Sequence, residues 1–379
     1  PPAGLAEAPE SATSRYLVEP VRPDNHNRRP VGLIELRGVR HHNLDGVDVD
    51  IPLGVFTAVT GVSGSGKTTL VTAVLAAAVA DHLGGPGNSA ADEAADTDEV
   101  DDDPATGTIA GVSGLDAIDR LVEVDQRPIG RTPRSNLATY TGLFDGVRKL
   151  FAATDEARRR GYSVGRFSFN VEGGRCPHCQ GEGFVAVELL FLPGTYSPCP
   201  VCHGARYNPE TLEVRYRGRS VADVLALTVE QATGFFADVP AIARSLATLA
   251  EVGLGYLTLG QPATELSGGE AQRIKLATEL QRARRGHTLF LLDEPTTGLH
   301  PADVDRLMRL LHSLVDARNT VVVIEHDMDV VAGADHVLDL GPGGGDSGGR
   351  IVATGTPAQV AASGTSRTAP YLRAVLDRS

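Results

Sequence analysis

The chain has 379 residues, with 35 Lys and Arg against 48 Asp and Glu, a formal net charge of −13, 5% aromatic residues and no Trp. That length allows two or three domains with a largely aliphatic core. No apolar run is long enough to cross a bilayer (Leu70 to Ala80 comes nearest and contains Thr72), and no secretory start is visible, so a soluble cytoplasmic protein is expected, without a membrane partner.

In chain order, residues 1–30 are rich in Pro and Ala, lack periodicity and read as a linker or the tail of a missing upstream half, in keeping with a chain that starts without Met. LIELRGV, VDVDIPL and VFTAVTG alternate and predict strands of a half-buried sheet. A phosphate loop follows, then an apolar helix from about Thr68 to Asp81. Residues 83–108 carry a run of Asp and Glu without Lys or Arg and predict a flexible acidic loop. The strand LVEVDQ closes this first part of an ATP-binding lobe, spanning 31–126. A domain at 127–285 contains all four cysteines, within a module at about 166–219, and becomes helical after 220. The strand TLFLLDE, a helix from Asp303 to Val315 and the strand TVVVIEH form the second part of the lobe, 286–362, before a tail at 363–379.

The charge is uneven. Between residues 120 and 220 there are 15 Arg and Lys against 10 acids, a net of +5 that leaves −18 for the remainder. Such a basic island is either a phosphate-facing surface or an ordinary solvated face. Arg131, Arg134, Arg148, Lys149, Arg166, Arg175 and Arg206 are its candidate DNA-binding residues.

The strongest chemical signal is Gly61-Val62-Ser63-Gly64-Ser65-Gly66-Lys67-Thr68, followed by Thr69, between a strand and a helix. Glycines let backbone N–H groups curl around phosphates, the helix start favours negative charge, and Lys67 adds a point charge. Thr68 is positioned to bind Mg²⁺. The apolar strand ending in Asp293-Glu294 places successive side chains on opposite faces. Asp293 is therefore expected in the Mg²⁺ shell, and Glu294 as the group polarising the attacking water. His326, after its own strand, and Gln126, after another, are candidates for the γ-phosphate end.

Ser267-Gly268-Gly269-Glu270 before a helix forms a second anion-binding start. Phosphate loop, Gln126, LSGGE, strand-Asp-Glu and His326 in this order resemble an ABC-type ATPase. In that family the signature loop of one nucleotide-binding unit closes on the ATP of another, so the resemblance implies a composite site needing a second half or a second copy.

The cysteines Cys176, Cys179, Cys199 and Cys202 follow C-x₂-C-x₁₉-C-x₂-C, within the structural zinc range, and each pair has a nearby glycine (Gly181, Gly204). Four thiolates leave no open coordination position, so the expected Zn²⁺ is structural.

With these strings in place the chain resembles the UvrA family, the damage-sensing subunits of the bacterial excision nuclease. TGVSGSGKTTL, VDQRPIGRTPRSN, GRFSFNV, CQGEG, RYNPETLE, LSGGEAQRIKLA, LDEPTTGLH and VVVIEHD carry the resemblance, which covers roughly residues 31–362 and points to the second half of such a protein. It implies an α/β ABC-type ATPase lobe interrupted by a mostly helical signature domain bearing a Cys₄ zinc hairpin. It also implies ATP, Mg²⁺ and Zn²⁺ as cofactors, and damaged or distorted duplex DNA as the ligand. An upstream half or second copy and a UvrB-type helicase are the implied partners.

The departures from the family pattern share a direction. Glu172, Ala186 and Ala205 stand where cations are usual, and Leu137 replaces a Pro. The implied function is recognition of damaged duplex in nucleotide excision repair. The alternatives are a UvrA-like self-resistance protein acting on drug-bound DNA, or a non-repair ABC ATPase, against which the zinc insert speaks.

Overall fold

The computed structural model describes residues 8, 11, 13–18, 26, 28–84, 108–189, 192–282 and 286–378. The expected acidic loop at 83–108 falls almost wholly outside them. Two compact units are present, one comprising Pro1–Asp125 with Arg284–Ser379, the other Gln126–Ala283.

Strands β1 (Gly32–His41), β2 (Leu44–Leu53), β3 (Phe56–Gly61), β4 (Gly111–Ser113) and β5 (Arg120–Val124) belong to the first unit, and β6 (Phe184–Leu189) and β7 (Leu192–Pro198) to the second. The first unit is completed by β8 (Thr288–Asp293), β9 (Thr320–Ile324), β10 (His336–Gly341) and β11 (Arg350–Gly355). In the three-stranded sheet β2-β1-β4, Val47, Val49 and Ile51 point inward while Asp45, Asp48 and Asp50 face solvent. This is the alternation of a sheet with one wet face.

The larger sheet runs β11-β10-β3-β9-β8-β5, and its five strands from β10 to β5 are parallel. Every residue of β3 and β9 is buried, Thr57, Thr60 and Thr320 included, which corrects the half-buried strand expected from VFTAVTG: a parallel strand inside the sheet is covered on both faces. Because these strands share a direction, the chain leaves β3, β8 and β9 at one edge, where open α/β sheets bind ligands.

Beyond β3 the predicted helix is present, but its first part, Thr69–Leu75, is π-wound before α-helix Ala76–His82. Such widened turns recur at functional sites. Within the stretch read as a linker, Ser14–Val18 form a helix. Tyr16 donates to Asp305 at 3.0 Å, and Thr13 meets His300 at 2.9 Å. Arg28 reaches both Asp316 (2.8 Å) and Asp335 (3.1 Å) and donates to His312 Nδ1 at 3.0 Å.

The second unit is helical around Leu143–Ala152, Pro240–Glu251 and Gly268–Gln281, with the two-stranded β6–β7 hairpin as its only sheet among the described residues. Phe144, Phe151, Phe167, Phe169 and Phe236 are buried there. The scarce aromatic residues thus concentrate in the unit that lacks a large sheet.

Candidate functional site

The phosphate loop is shaped from behind. Gly61, Gly64 and Gly66 have φ of 138°, 72° and 101°, and a Cβ on Gly61 would lie 2.1 Å from the Leu340 carbonyl oxygen. Only glycine fits that approach. A second glycine run, Gly343–Gly349, braces the loop: Gly345 N donates to Gly64 O and Gly349 N to Ser65 O, both at 3.0 Å. Asn43 Nδ2 adds a bond to Gly64 O at 3.0 Å. Sequence reasoning overlooked both Asn43 and this run, although GPGGGDSGG is a visible compositional signal.

In front of the loop is a cleft of about 280 Å³ lined by His42, Asn43, Gly64, Gly66, Lys67, Thr68 and Thr69. Lys67 Nζ donates to the carbonyls of Gly61 and Val62, each at 3.1 Å. Burial pushes its ammonium pKa down, opposed by Glu294, Asp293 and Asp339. Ser65 Oγ is buried without a hydrogen-bond partner. A glycine cradle, a desolvated cation and an unsatisfied hydroxyl form a donor set suited to phosphate. Ser63 is exposed on the same loop.

At the neighbouring strand ends, Asp293 closes β8 and its carboxyl is pushed up by burial and by Glu294 beside it, with Lys67 acting in the opposite sense. An acid held this way favours a nearby cation. Glu294 has φ of 46°, a left-handed conformation that costs a non-glycine residue on the order of 1–3 kcal/mol and survives only where its surroundings enforce it. Its carboxylate lies 3.0 Å from His326 Nε2. Phosphate loop, Asp293, Glu294 and His326 are thus parts of one unit and stand at one sheet edge.

Gln126 belongs to the second unit, where it packs against the signature loop: a Cβ on Gly268 would lie 3.3 Å from its side chain. Ser267 caps helix Gly268–Gln281. Its N–H donates to Glu270 Oε2 at 2.8 Å, its hydroxyl to the same oxygen at 3.0 Å, and it accepts from Glu270 N at 3.3 Å. Tyr256 OH donates to the other Glu270 oxygen at 2.6 Å. Gly269 lies within the same first turn and accepts from Arg273 Nε at 3.3 Å.

The four cysteine sulfurs all lie within 4.8 Å of one another, and Cys179 and Cys202 are 3.6 Å apart. Four thiolates about 2.3 Å from a tetrahedral Zn²⁺ would be spaced by roughly 3.8 Å, so the cluster fits that ion. The two knuckles repeat the same turn: Gln180-Gly181 and His203-Gly204 have φ of 50° and 89°, and 50° and 90°. Burial pushes the Cys202 thiol up to about 12, while hydrogen bonds from the Cys202 and Val201 backbone draw the Cys199 thiol down to about 7 against its own burial. The β6–β7 hairpin springs from between the two cysteine pairs.

The basic candidates divide. Arg131 and Lys149 are exposed. Arg134 pairs with Glu182 at 3.3 Å, Arg148 with Asp145, and Arg175 with Glu172 at 3.6 Å, while Arg166 bonds Thr211 Oγ1 at 2.8 Å and lies over the Tyr162 ring. Arg206 corrects the sequence reading. It is 3% exposed, donates to Pro133 O at 3.0 Å and Gly260 O at 3.3 Å, and stacks on Phe169. Its charge closes loops inside the unit and cannot serve a phosphate from there.

A family model described as "AAA domain, putative AbiEii toxin, Type IV TA system" matches residues 257–331. The chain is 56% identical over 355 residues to UvrABC system protein A of Streptomyces coelicolor, covering 94% of this chain and 33% of that protein. It is 54% identical over 378 residues to the protein of the same name from Methanothermobacter thermautotrophicus, covering 99% and 38%. The crystal structure of UvrA2 from Deinococcus radiodurans superposes with a TM-score of 0.89 at 62% identity, covering 99% of this chain and 44% of that one. The resemblance to UvrA proteins therefore extends along the chain, which spans about two fifths of the length of its curated relatives. Among the described residues no helix is long and apolar enough to cross a membrane.

Proposed function

From a chain that matches UvrA proteins from end to end while spanning about two fifths of their length, we infer an ATP-hydrolysing, DNA-binding part of a UvrA-type nucleotide excision repair protein. The observation that carries the reading is the assembly of the glycine cradle, Lys67, Asp293 and a touching Glu294–His326 pair at one sheet edge.

In this reading Lys67 exchanges its two carbonyl bonds for phosphate oxygens, and the loop N–H groups with Ser65 Oγ supply the remaining donors. Thr68 and Asp293 would hold Mg²⁺, which supplies neutralisation of the phosphate charge. Glu294 orients and accepts a proton from the attacking water, and His326 fixes the Glu294 carboxylate from the adjoining strand. Ser267, Gly268, Gly269 and Glu270 form the closing surface for the nucleotide of a second half or copy, and Gln126 shares their unit. The cysteine cluster holds structural Zn²⁺ at the base of the hairpin, and Arg131, Lys149, Arg134, Arg148, Arg166 and Arg175 are the phosphate-facing candidates. Transfer of distorted DNA to a UvrB-type partner completes the proposal.

The test is ATP turnover against chain concentration for wild type, Glu294→Gln and Ser267→Arg. Turnover per chain should rise with concentration. Glu294→Gln should lower it at least 100-fold with ATP still bound, and Ser267→Arg should abolish it. Brisk hydrolysis that is independent of concentration and survives Ser267→Arg would overturn the composite site.

A second reading, a UvrA-like paralogue, is favoured by one comparison. Identity to the protein called UvrA2 is 62%, against 52–56% for the UvrABC system A proteins of Streptococcus pyogenes, M. thermautotrophicus and S. coelicolor. Binding to damaged duplex, regular duplex and a drug–DNA complex separates the two.

A further inference from the structure

Glu325 is 2% exposed and lies between the two strand ends that carry Glu294 and His326, yet the chemistry above gives it no task. Its carboxylate is fully used. Oε1 accepts from Thr296 N at 3.0 Å and Thr296 Oγ1 at 2.6 Å, and Oε2 from His326 N at 3.0 Å and Asp327 N at 3.4 Å. Its backbone N–H donates to Val59 O of β3 at 3.1 Å. One side chain thus ties the turn after β8 to the turn after β9, while its backbone holds both to the strand that feeds the phosphate loop.

Four donors converge on one anion, an arrangement only a carboxylate of this length satisfies. The bonded segments are the ones that aim the Glu294–His326 contact. Glu294 is two residues before Thr296 and its N–H is held by Ile324 O at 2.9 Å; Thr297 Oγ1 donates to Glu294 Oε2 at 3.2 Å. His326 follows Glu325 directly. The left-handed backbone of Glu294 needs such enforcement.

We propose that Glu325 is the positioning residue of the hydrolytic centre, a buried bracket that fixes the Glu294 carboxylate and the His326 imidazole against each other. This inference rests on the ATPase reading for its consequence in catalysis, but not for its geometry. Glu325→Gln keeps size and polarity while replacing two acceptor positions with donors that face donors, so it breaks the bracket selectively.

The closing experiment has two arms. The first is a crystal structure of Glu325→Gln without nucleotide, in which the 3.0 Å Glu294–His326 contact should open beyond hydrogen-bond reach. Persistence of the contact overturns the proposal whatever the turnover. The second arm, in the full-length protein, compares kcat and KM for ATP. Glu325→Gln should lower kcat at least 10-fold with KM within about 2-fold, Thr296→Val should lower kcat about 3-fold with the same split, and Thr296→Ser should restore it. A Glu325 that merely stabilised the fold would lower Tm and leave kcat per folded molecule unchanged, and that result also overturns the proposal. Glu294→Gln is the control for the other reading: if turnover does not need Glu294, the catalytic assignment fails, and the crystallographic arm still decides the bracket.

Discussion

The nucleotide edge and the cysteine module reach order by opposite routes. The edge is the end of a wide, mostly parallel sheet whose inner strands β3 and β9 are buried along their length, so its polar groups inherit positions from close-packed neighbours. Around the cysteines themselves, Cys176, Cys179 and Cys199 are the buried cluster, with Val185 and Cys202 packed against them. Where packing supplies the order, a site survives the loss of its ligand. Where the ligand is the core, removing it removes the fold.

Metal removal breaks the comparison most directly. Chelation or Cys199→Ser should collapse the module around residues 176–202, because structural Zn²⁺ contributes on the order of 10 kcal/mol in such sites. ATP binding through Lys67 should change by less than about 3-fold. Elemental analysis of protein purified without added metal should give one Zn²⁺ per chain, and less than half an equivalent with four titrating thiols would refute the site.

The reverse lesion is Gly61→Ala. The added methyl would meet Leu340 O at 2.1 Å, so either the loop or β10 must shift. A loss of about 2–4 kcal/mol in stability and at least 100-fold in ATP affinity is expected from thermal melts and nucleotide titrations, with the zinc content unchanged.

Acid should find a weak joint inside the well-packed unit. His312 is 6% exposed and accepts from Arg28 at Nδ1. Burial, with His26 and Arg28 adding to it, pushes its pKa down to about 4 against the opposing pull of Asp335 and Asp316. A depressed folded-state pKa means that its contribution is complete above the unfolded value near 6.5 and is lost as pH falls towards about 4, while the unfolded chain takes up the proton. Stability should fall by on the order of 2 kcal/mol across that window, and His312→Gln should flatten the slope in chemical denaturation at several pH values.

The smallest effect concerns DNA. Glu172 is exposed and neutralises Arg175, so Glu172→Arg adds one cation and releases another. A salt titration of duplex binding should steepen by about 1–2 units, equally for regular and distorted duplex. An unchanged slope would remove this face from the DNA surface.

These regions also differed in how far the sequence disclosed them. Gly61 to Thr68, Asp293-Glu294 and the paired cysteines are short patterns whose geometry is local, so spacing alone located them. Arg206 was misread because its charge looked like its neighbours' in a basic run. Only the fold reveals Pro133 O, Gly260 O and the Phe169 ring around it. Glu325 was passed over for the complementary reason. In VVVIEHD it looks like one more polar residue at a strand end, and its partner Thr296 is 29 positions away, a separation no periodicity reports.

The glycine run behind the phosphate loop bears on the thermodynamics of nucleotide capture. Gly345 N, Gly349 N and Asn43 Nδ2 already occupy the loop carbonyls from the rear, so the forward N–H groups are set before any ligand arrives. Little chain entropy then remains to be lost on association. Calorimetry should accordingly find ATP binding driven by favourable enthalpy with a small heat-capacity change, the signature of a preformed mould rather than of a loop that folds around its guest.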